Sequence, residues 1–129
     1  MKTPLNPTGI RPPFGRYSHG IAIPHGGLLV FCSGQLGALP GDVVPGTVEQ
    51  QAEVCFRNIE AILAEGGLGL RDIVRLNAYV TAREHMKGYM AVRDRFVSDP
   101  PPASTLMIVA GFTRPEFLVE VEAIAVRAA

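Results

Sequence analysis

The sequence has no tryptophan, two cysteines and only 7% aromatic residues, and neither sign of charge is in excess. Twelve lysines and arginines balance twelve aspartates and glutamates. A chain without net charge has no global field to hold a polyanion by counterion release, and nucleic-acid binders ordinarily carry a basic face. With only three scattered histidines as well, RNA cleavage fits poorly and nucleic acid is not an expected partner. No stretch approaches the roughly 20 apolar residues of a membrane helix, so no membrane span is expected. Met1-Lys2-Thr3-Pro4 leads into no continuous apolar run, which reads against a secretory signal. Cys32 and Cys55 sit inside apolar segments rather than turns. Buried free thiols suit a reducing compartment, and a cytoplasmic location is the expectation. His19, His25 and His85 lack metal-ligand spacing, so neither a metal nor a cofactor is expected.

What is present suffices for a core. Apolar residues make up 47% and charged residues 19% of 129, which excludes a highly charged disordered chain and predicts one domain over residues 1–129. Pro4, Pro7, Pro12 and Pro13, with Gly9 and Gly15, predict an extended surface arm over the first sixteen residues. Two apolar runs follow, residues 20–23 and 28–35, separated by Pro24-His25-Gly26-Gly27. They predict an antiparallel hairpin, followed by a loop over residues 38–46.

Thr47-Val48-Glu49-Gln50 has the form of a capping box. Behind it Val48, Ala52, Cys55, Ile59 and Ile62 recur at helical spacing until Gly66-Gly67. Val74, Leu76, Ala78 and Val80 then alternate with Arg75, Asn77 and Tyr79, the period of a strand. Thr81-Ala82-Arg83-Glu84 repeats the capping-box form ahead of a second helix. Met86, Tyr89, Met90 and Phe96 occupy its buried side, and Pro100-Pro101-Pro102 stops it. Residues 105–110 and 117–127 read as two closing strands. The order β-β-α-β-α-β-β predicts an α+β fold, a mixed sheet with both helices on one face. Its other face would remain partly apolar and uncovered, which a chain this short resolves with a symmetric neighbour.

Several segments resemble one family along nearly the whole chain. Gly15-Arg16-Tyr17-Ser18-His19 resembles a G-P-Y-S-Q motif, and Leu29-Val30-Phe31-Cys32-Ser33-Gly34-Gln35 a hydrophobic strand ending in S-G-Q. Gln51, Asn58, Ile62-Leu63 and Gly66-Gly67 follow a Q…N…I-L…G helix pattern. Asp72-Ile73-Val74 resembles the start of the next strand, and residues 119–125 a closing V-E-I-E-A-I-A. Together these resemble the Rid (YjgF/UK114, imine and enamine deaminase) family. The resemblance implies a chorismate-mutase-like fold and a homotrimer with a small-molecule cleft at each subunit interface. It implies hydrolysis of reactive imines or enamines, such as 2-iminopyruvate or 2-aminoacrylate, to a keto acid and ammonia.

Candidate site residues come from both readings. Ser33-Gly34 presents backbone N–H groups and a hydroxyl to an anionic ligand, because glycine lets the backbone approach closely. Glu120 and Glu122 lie two apart on a strand, hence on one face, where like charge and partial burial raise a carboxyl pKa. The resemblance implies that Glu120 positions water; Tyr17, whose phenol can offer a hydrogen bond to substrate or water, is the second catalytic candidate, and Glu122 reads as structural. The family's active deaminases carry P-A-R-[ST], whose arginine grips the substrate carboxylate, where this chain has Pro102-Ala103-Ser104-Thr105. Leu106 replaces a cysteine, Met90 an asparagine and Arg93 a tyrosine. Ser33, Gly34, Ser104, Leu106, Arg93 and Arg16 are therefore the candidate ligand-binding residues, the two arginines as substitutes for the missing guanidinium. The expectation is an imine or enamine deaminase that does not act on 2-iminopyruvate itself. The alternative is a non-catalytic ligand-binding or regulatory trimer using the same cleft.

Overall fold

Alternation in the last segment produces an inner strand of a sheet: Val119, Val121, Ala123 and Ala125 point to a core while Glu120, Glu122, Ile124 and Val126 point away. The computed structural model describes residues 2–24 and 26–127. In chain order the strands and helices are β1 (Thr3–Leu5), β2 (Gly20–Ala22), β3 (Leu28–Leu36), α1 (Val48–Glu65), β4 (Ile73–Val80), α2 (Met86–Phe96), β5 (Ala103–Ile108) and β6 (Val119–Arg127). Four of them form one sheet in the order β3-β6-β4-β5. β6 runs antiparallel to both its neighbours and β4 runs parallel to β5. The two parallel connections are the helices, as crossovers demand, and the fold is the expected α+β arrangement with a mixed sheet.

α1 forms where its sequence predicts. The Thr47 hydroxyl accepts from the Gln50 N–H at 3.2 Å, closing one free donor of the first turn. Val48, Ala52, Cys55, Phe56, Ile59 and Leu63 are buried against the sheet. Gly67 ends the helix at φ +76°, a conformation favourable only to glycine, and the Leu68 N–H returns to the Leu63 carbonyl at 2.9 Å.

Four local expectations are corrected. β2 pairs with β1, so residues 20–23 belong to a ribbon with the arm rather than a hairpin with β3. A turn specifies a reversal, but the partner of the returning strand is chosen non-locally; His25, in that turn, lies outside the described residues. The arm is tied down further by Lys2, whose Nζ donates to the Ile73 carbonyl (2.9 Å) and the Ser98 hydroxyl (3.2 Å). The capping box at Thr81 does not form. The Thr81 N–H is held by the Leu118 carbonyl at 3.1 Å, so this residue still belongs to the sheet. The helical turn starts after Ala82, which has no side-chain oxygen, as a 3₁₀ turn leading into α2. On α2, Tyr89, Val92, Arg93 and Phe96 are buried, with Met86 and Met90 only half-buried beside them. Finally, a bulge between Ile73 and Arg75 shifts the phase of β4, burying Ile73 instead of Val74.

Candidate active site

The β3–β6 pair carries the first half of the site. Its register slips between Cys32 and Gln35, and the slip sets Gly34 against the Glu120 side chain. A Cβ on Gly34 would lie 2.7 Å from Glu120 Cδ, so only glycine allows this approach. The buried Cys55 thiol of α1 donates to the Gln35 carbonyl at 3.0 Å, holding the far end of the bulge. Glu120 is half-buried, and no hydrogen-bond donor engages its carboxylate among the described residues. Burial lifts its pKa above the ordinary carboxylate range, and the nearby charge of Glu122 pushes in the same direction.

Glu122 is in the opposite condition. Its Oε1 accepts from the Tyr79 hydroxyl (2.9 Å) and from Asn77 Nδ2 (3.1 Å). Asn77 Oδ1 in turn accepts from Arg75 Nε at 3.0 Å, and Arg75 Nη2 reaches the Thr105 hydroxyl at 2.6 Å. Two glutamates on one face thus differ, one tied into a network and the other without a hydrogen-bond donor among the described residues. A depression of about 260 Å³ opens at Glu122, between Phe31, Ser33, Asn77 and Ile124.

The second half lies at the β5 edge. The Ser18 N–H donates to the Pro102 carbonyl at 3.0 Å and Ser18 bridges to Ala103, which lays the arm along the start of β5. Tyr17 is half-buried there. Its hydroxyl oxygen accepts from the Phe14 N–H at 3.1 Å, and its ring stands edge-on to His19 at 6.0 Å. The phenolic proton remains available to donate. Ser104 and Leu106 are in register with the buried Leu76 and Ala78, so both face the helical layer, and Leu106 packs on the core. Arg16 is exposed. Arg93 is 4% exposed, and its Nε and Nη2 both donate to Asp94 Oδ1, at 3.2 and 3.1 Å.

The structure therefore joins Ser33 and Gly34 to the Glu120–Glu122 face, and gathers Tyr17, Arg16, Arg93 and Ser104 around the arm and β5. It does not bring the two groups together within one chain. β3 and β5 are three strand spacings apart, roughly 14 Å. The sequence placed Gln51 in a helix motif without giving it a role; it is buried, its Nε2 donates to the Pro45 and Glu116 carbonyls and its Oε1 accepts from the Leu118 N–H, each at 2.8 Å. That clamp fixes the chain two residues ahead of Glu120. Its signal was a lone amide on the apolar stripe of α1. The network below Glu122 also had a visible signal, the polar residues alternating along β4.

A family model described as Endoribonuclease L-PSP matches residues 8–127. The chain belongs to this family, the Rid family. Among solved structures, the Rid protein YyfB from Yersinia pestis superimposes with a TM-score of 0.84 at 25% identity, over 98% of both chains. A Dermatophagoides farinae protein named 2-iminobutanoate/2-iminopropanoate deaminase is 28% identical over 98% of this chain and 94% of its own. Two Schizosaccharomyces pombe proteins, named mmf2 and mmf1, mitochondrial, are 33% and 32% identical over 65% and 84% of this chain. The match spans 66% and 64% of their lengths, less than two thirds. Among the described residues of this Rid-family chain, no helix is long and apolar enough to cross a membrane.

Proposed function

We propose that this Rid-family protein hydrolyses a reactive imine or enamine and releases ammonia, in a cleft completed by a neighbouring copy in a homotrimer. The observation that carries the reading is Glu120, set against Gly34, without a hydrogen-bond donor among the described residues and with its pKa raised. Water adds to the carbon of the protonated C=N group as one of its protons passes to the Glu120 carboxylate. Glu120 returns that proton to the carbinolamine nitrogen and then takes the hydroxyl proton as the C–N bond breaks. A carbonyl compound and ammonia leave, the ammonia carrying off that proton as ammonium. Such chemistry needs an oriented water and a positioned base rather than a covalent intermediate. Tyr17 is the second candidate catalytic group, as a proton donor from the arm of a second copy. The opposite-edge placement of the two half-sites supports a site made between copies, and the relative named as a deaminase supports the reaction class.

Ser104 offers no charge where the resemblance implies an arginine, so turnover of 2-iminopyruvate should be poor. That same uncharged β5 edge favours a second reading, a trimer that binds a small ligand without converting it. Free, buried Cys32 and Cys55 are consistent with a reducing compartment, and we keep the cytoplasm as the expectation. Ammonia release from freshly generated imines, with wild type and Glu120→Gln side by side, tests the proposal. Release by the wild type that Glu120→Gln loses without a change in melting temperature is the expected result. No release from any imine, with ligand binding retained, would replace hydrolysis by the second reading.

A further inference from the structure

Two side chains with hydrogen-bonding groups, Gln51 and Cys55, stand among the apolar residues that α1 buries, one turn apart and so on one side of the helix. Neither has any exposure to solvent. Cys55 sits over the β3–β6 pair, where its thiol donates to the Gln35 carbonyl at 3.0 Å. On the other strand the Val121 N–H favours the thiolate form, so it too faces the sulfur. Gln35 and Val121 are partners in register, and Val121 directly follows Glu120. Gln51 holds the ends of the same two strands. Beyond β3 the chain passes so closely that a Cβ on Gly37 would lie 2.4 Å from Gln51 Cβ. Its amide grips the Glu116 carbonyl and the Leu118 N–H just ahead of β6.

What lies between these anchors is the weak point of the ladder. Cys32 pairs with Ala123 and Gln35 with Val121, so Ser33 and Gly34 together stand opposite Glu122 alone. An extra residue of this kind breaks the pairing locally. A shift of the bulge by one residue would turn Gly34 away from Glu120 and bring a side chain into its place. No side chain fits there, since an added Cβ meets Glu120 Cδ at 2.7 Å. Beyond the bulge the pairing is short, Gln35 with Val121 and Leu36 with Glu120. Those pairs alone would have to hold the carboxylate in place. Gln51 and Cys55 brace this short stretch from the helical layer, one at each end.

We infer that Gln51 and Cys55 are the positioning residues of Glu120, a paired brace on α1 that sets the bulge and keeps Gly34 against the carboxylate. Both act through the strands rather than on the substrate. An apolar side chain of similar volume would fill either place without fixing the register, which accounts for hydrogen-bonding groups inside the core. The effect on rate rests on Glu120 as the base of the reaction proposed above; the brace itself rests on the geometry of the bulge.

Three variants of the full chain test it. Cys55→Ala removes the donor, Cys55→Ser keeps one, and Ile59→Val, one turn further along the same buried face, loses packing without touching the bulge. The groups facing Glu120 are Glu122 on its own strand, Tyr79 opposite it on β4 and Cys55 on α1; the variants leave the first two unchanged. In ammonia release Cys55→Ala should lose about tenfold or more in kcat at a similar KM, because a misplacement of about 1 Å costs on the order of 100-fold. Its acid limb should move to lower pH as Glu120 opens to water. Cys55→Ser and Ile59→Val should keep both the rate and the acid limb of the wild type. Gln51→Met, which drops all the bonds of the amide, should lose more than Cys55→Ala; if it does not fold, the Cys55 variants decide. Wild-type rate and acid limb in Cys55→Ala would overturn the inference, as would an equal loss in Ile59→Val or Cys55→Ser. If the wild type releases no ammonia from any imine, hydrolysis falls and the brace is still tested, by NMR titration of the isotope-labelled Glu120 carboxyl. That titration should move toward the ordinary glutamate range in Cys55→Ala and stay in place in Cys55→Ser and Ile59→Val. An unmoved Glu120 in Cys55→Ala would dismiss the brace whatever the reaction.

Discussion

The two faces of the sheet are made by the same strands and finished differently. Toward the helices, Leu76, Ala78, Val80, Val119, Val121 and Ala125 are wholly buried, and Ile59 and Leu63 of α1 and Tyr89 of α2 close over them. On the opposite face Phe31 is 68% exposed, and Leu29 and Met107 are half exposed. Between these apolar residues runs the chain of Arg75, Asn77, Tyr79 and Glu122, its members hydrogen-bonded to one another. The first face is completed by local sequence: each helix follows a strand and covers it. Among the described residues nothing covers the second. Because Arg75, Asn77, Tyr79 and Glu122 are already hydrogen-bonded among themselves, burying their part of the face against another copy leaves few groups unpaired, while the exposed apolar residues gain from the cover.

The largest effect should come from charging the finished face. Ile59→Asp places an unpaired carboxylate in a site with no exposure, a loss of more than about 4 kcal/mol in a domain stable by roughly 5–15 kcal/mol. Denaturant titration should show little folded protein. Charging the open face should act differently. Phe31→Asp should leave the secondary structure intact by circular dichroism, while light scattering shifts from three chains of 13.8 kDa toward one. A fully folded trimer in this variant would show that the open face is not where copies meet.

The next effects are in pH dependence. Glu120 must be ionised to take a proton from water, so activity should fall as pH drops through its raised pKa. Glu122→Gln keeps an acceptor for Tyr79 and Asn77 but removes the like charge, so the acid limb of ammonia release should move to lower pH. The buried Cys55 thiol is pushed up to about 12 from 9.0. Above about pH 9 the unfolded chain gives up this proton while the folded chain keeps it, so stability declines as pH rises toward 12. Cys55→Ser should lose less stability than the wild type between about pH 7 and 10, as followed by urea unfolding. The smallest change belongs to Glu53→Ala. Its pair with Arg95 is open to solvent on both sides, with side chains 47% and 61% exposed, and the melting temperature should shift by no more than about 0.5 kcal/mol implies.

The helices and the closing strand were legible because their signals are local and periodic. Thr47, the apolar stripe of α1 and Gly67 mark one helix without reference to anything distant. The same holds for the alternation around Glu120 and Glu122, which placed both carboxylates on one face. Expectations failed where a partner far along the chain decided the outcome. The short run at residues 20–23 was claimed by the arm, Thr81 by the Leu118 carbonyl, and Val74 by a bulge against β6.

The sequence by itself determined the α+β class, the order of the elements from β2 to β6, the face of α1 that is buried and the family. These depend on side-chain spacing, cap chemistry and motif order, which are written locally. Only the tertiary structure decided that Gly34 touches Glu120, that Glu122 is bound while Glu120 is not, and that Arg93 lies buried beneath Gly15. These are relations between residues tens of positions apart, fixed by sheet register and by where the arm comes to rest. The same register placed Ser33 and Ser104 on opposite edges of one sheet, a separation that no spacing along the chain encodes.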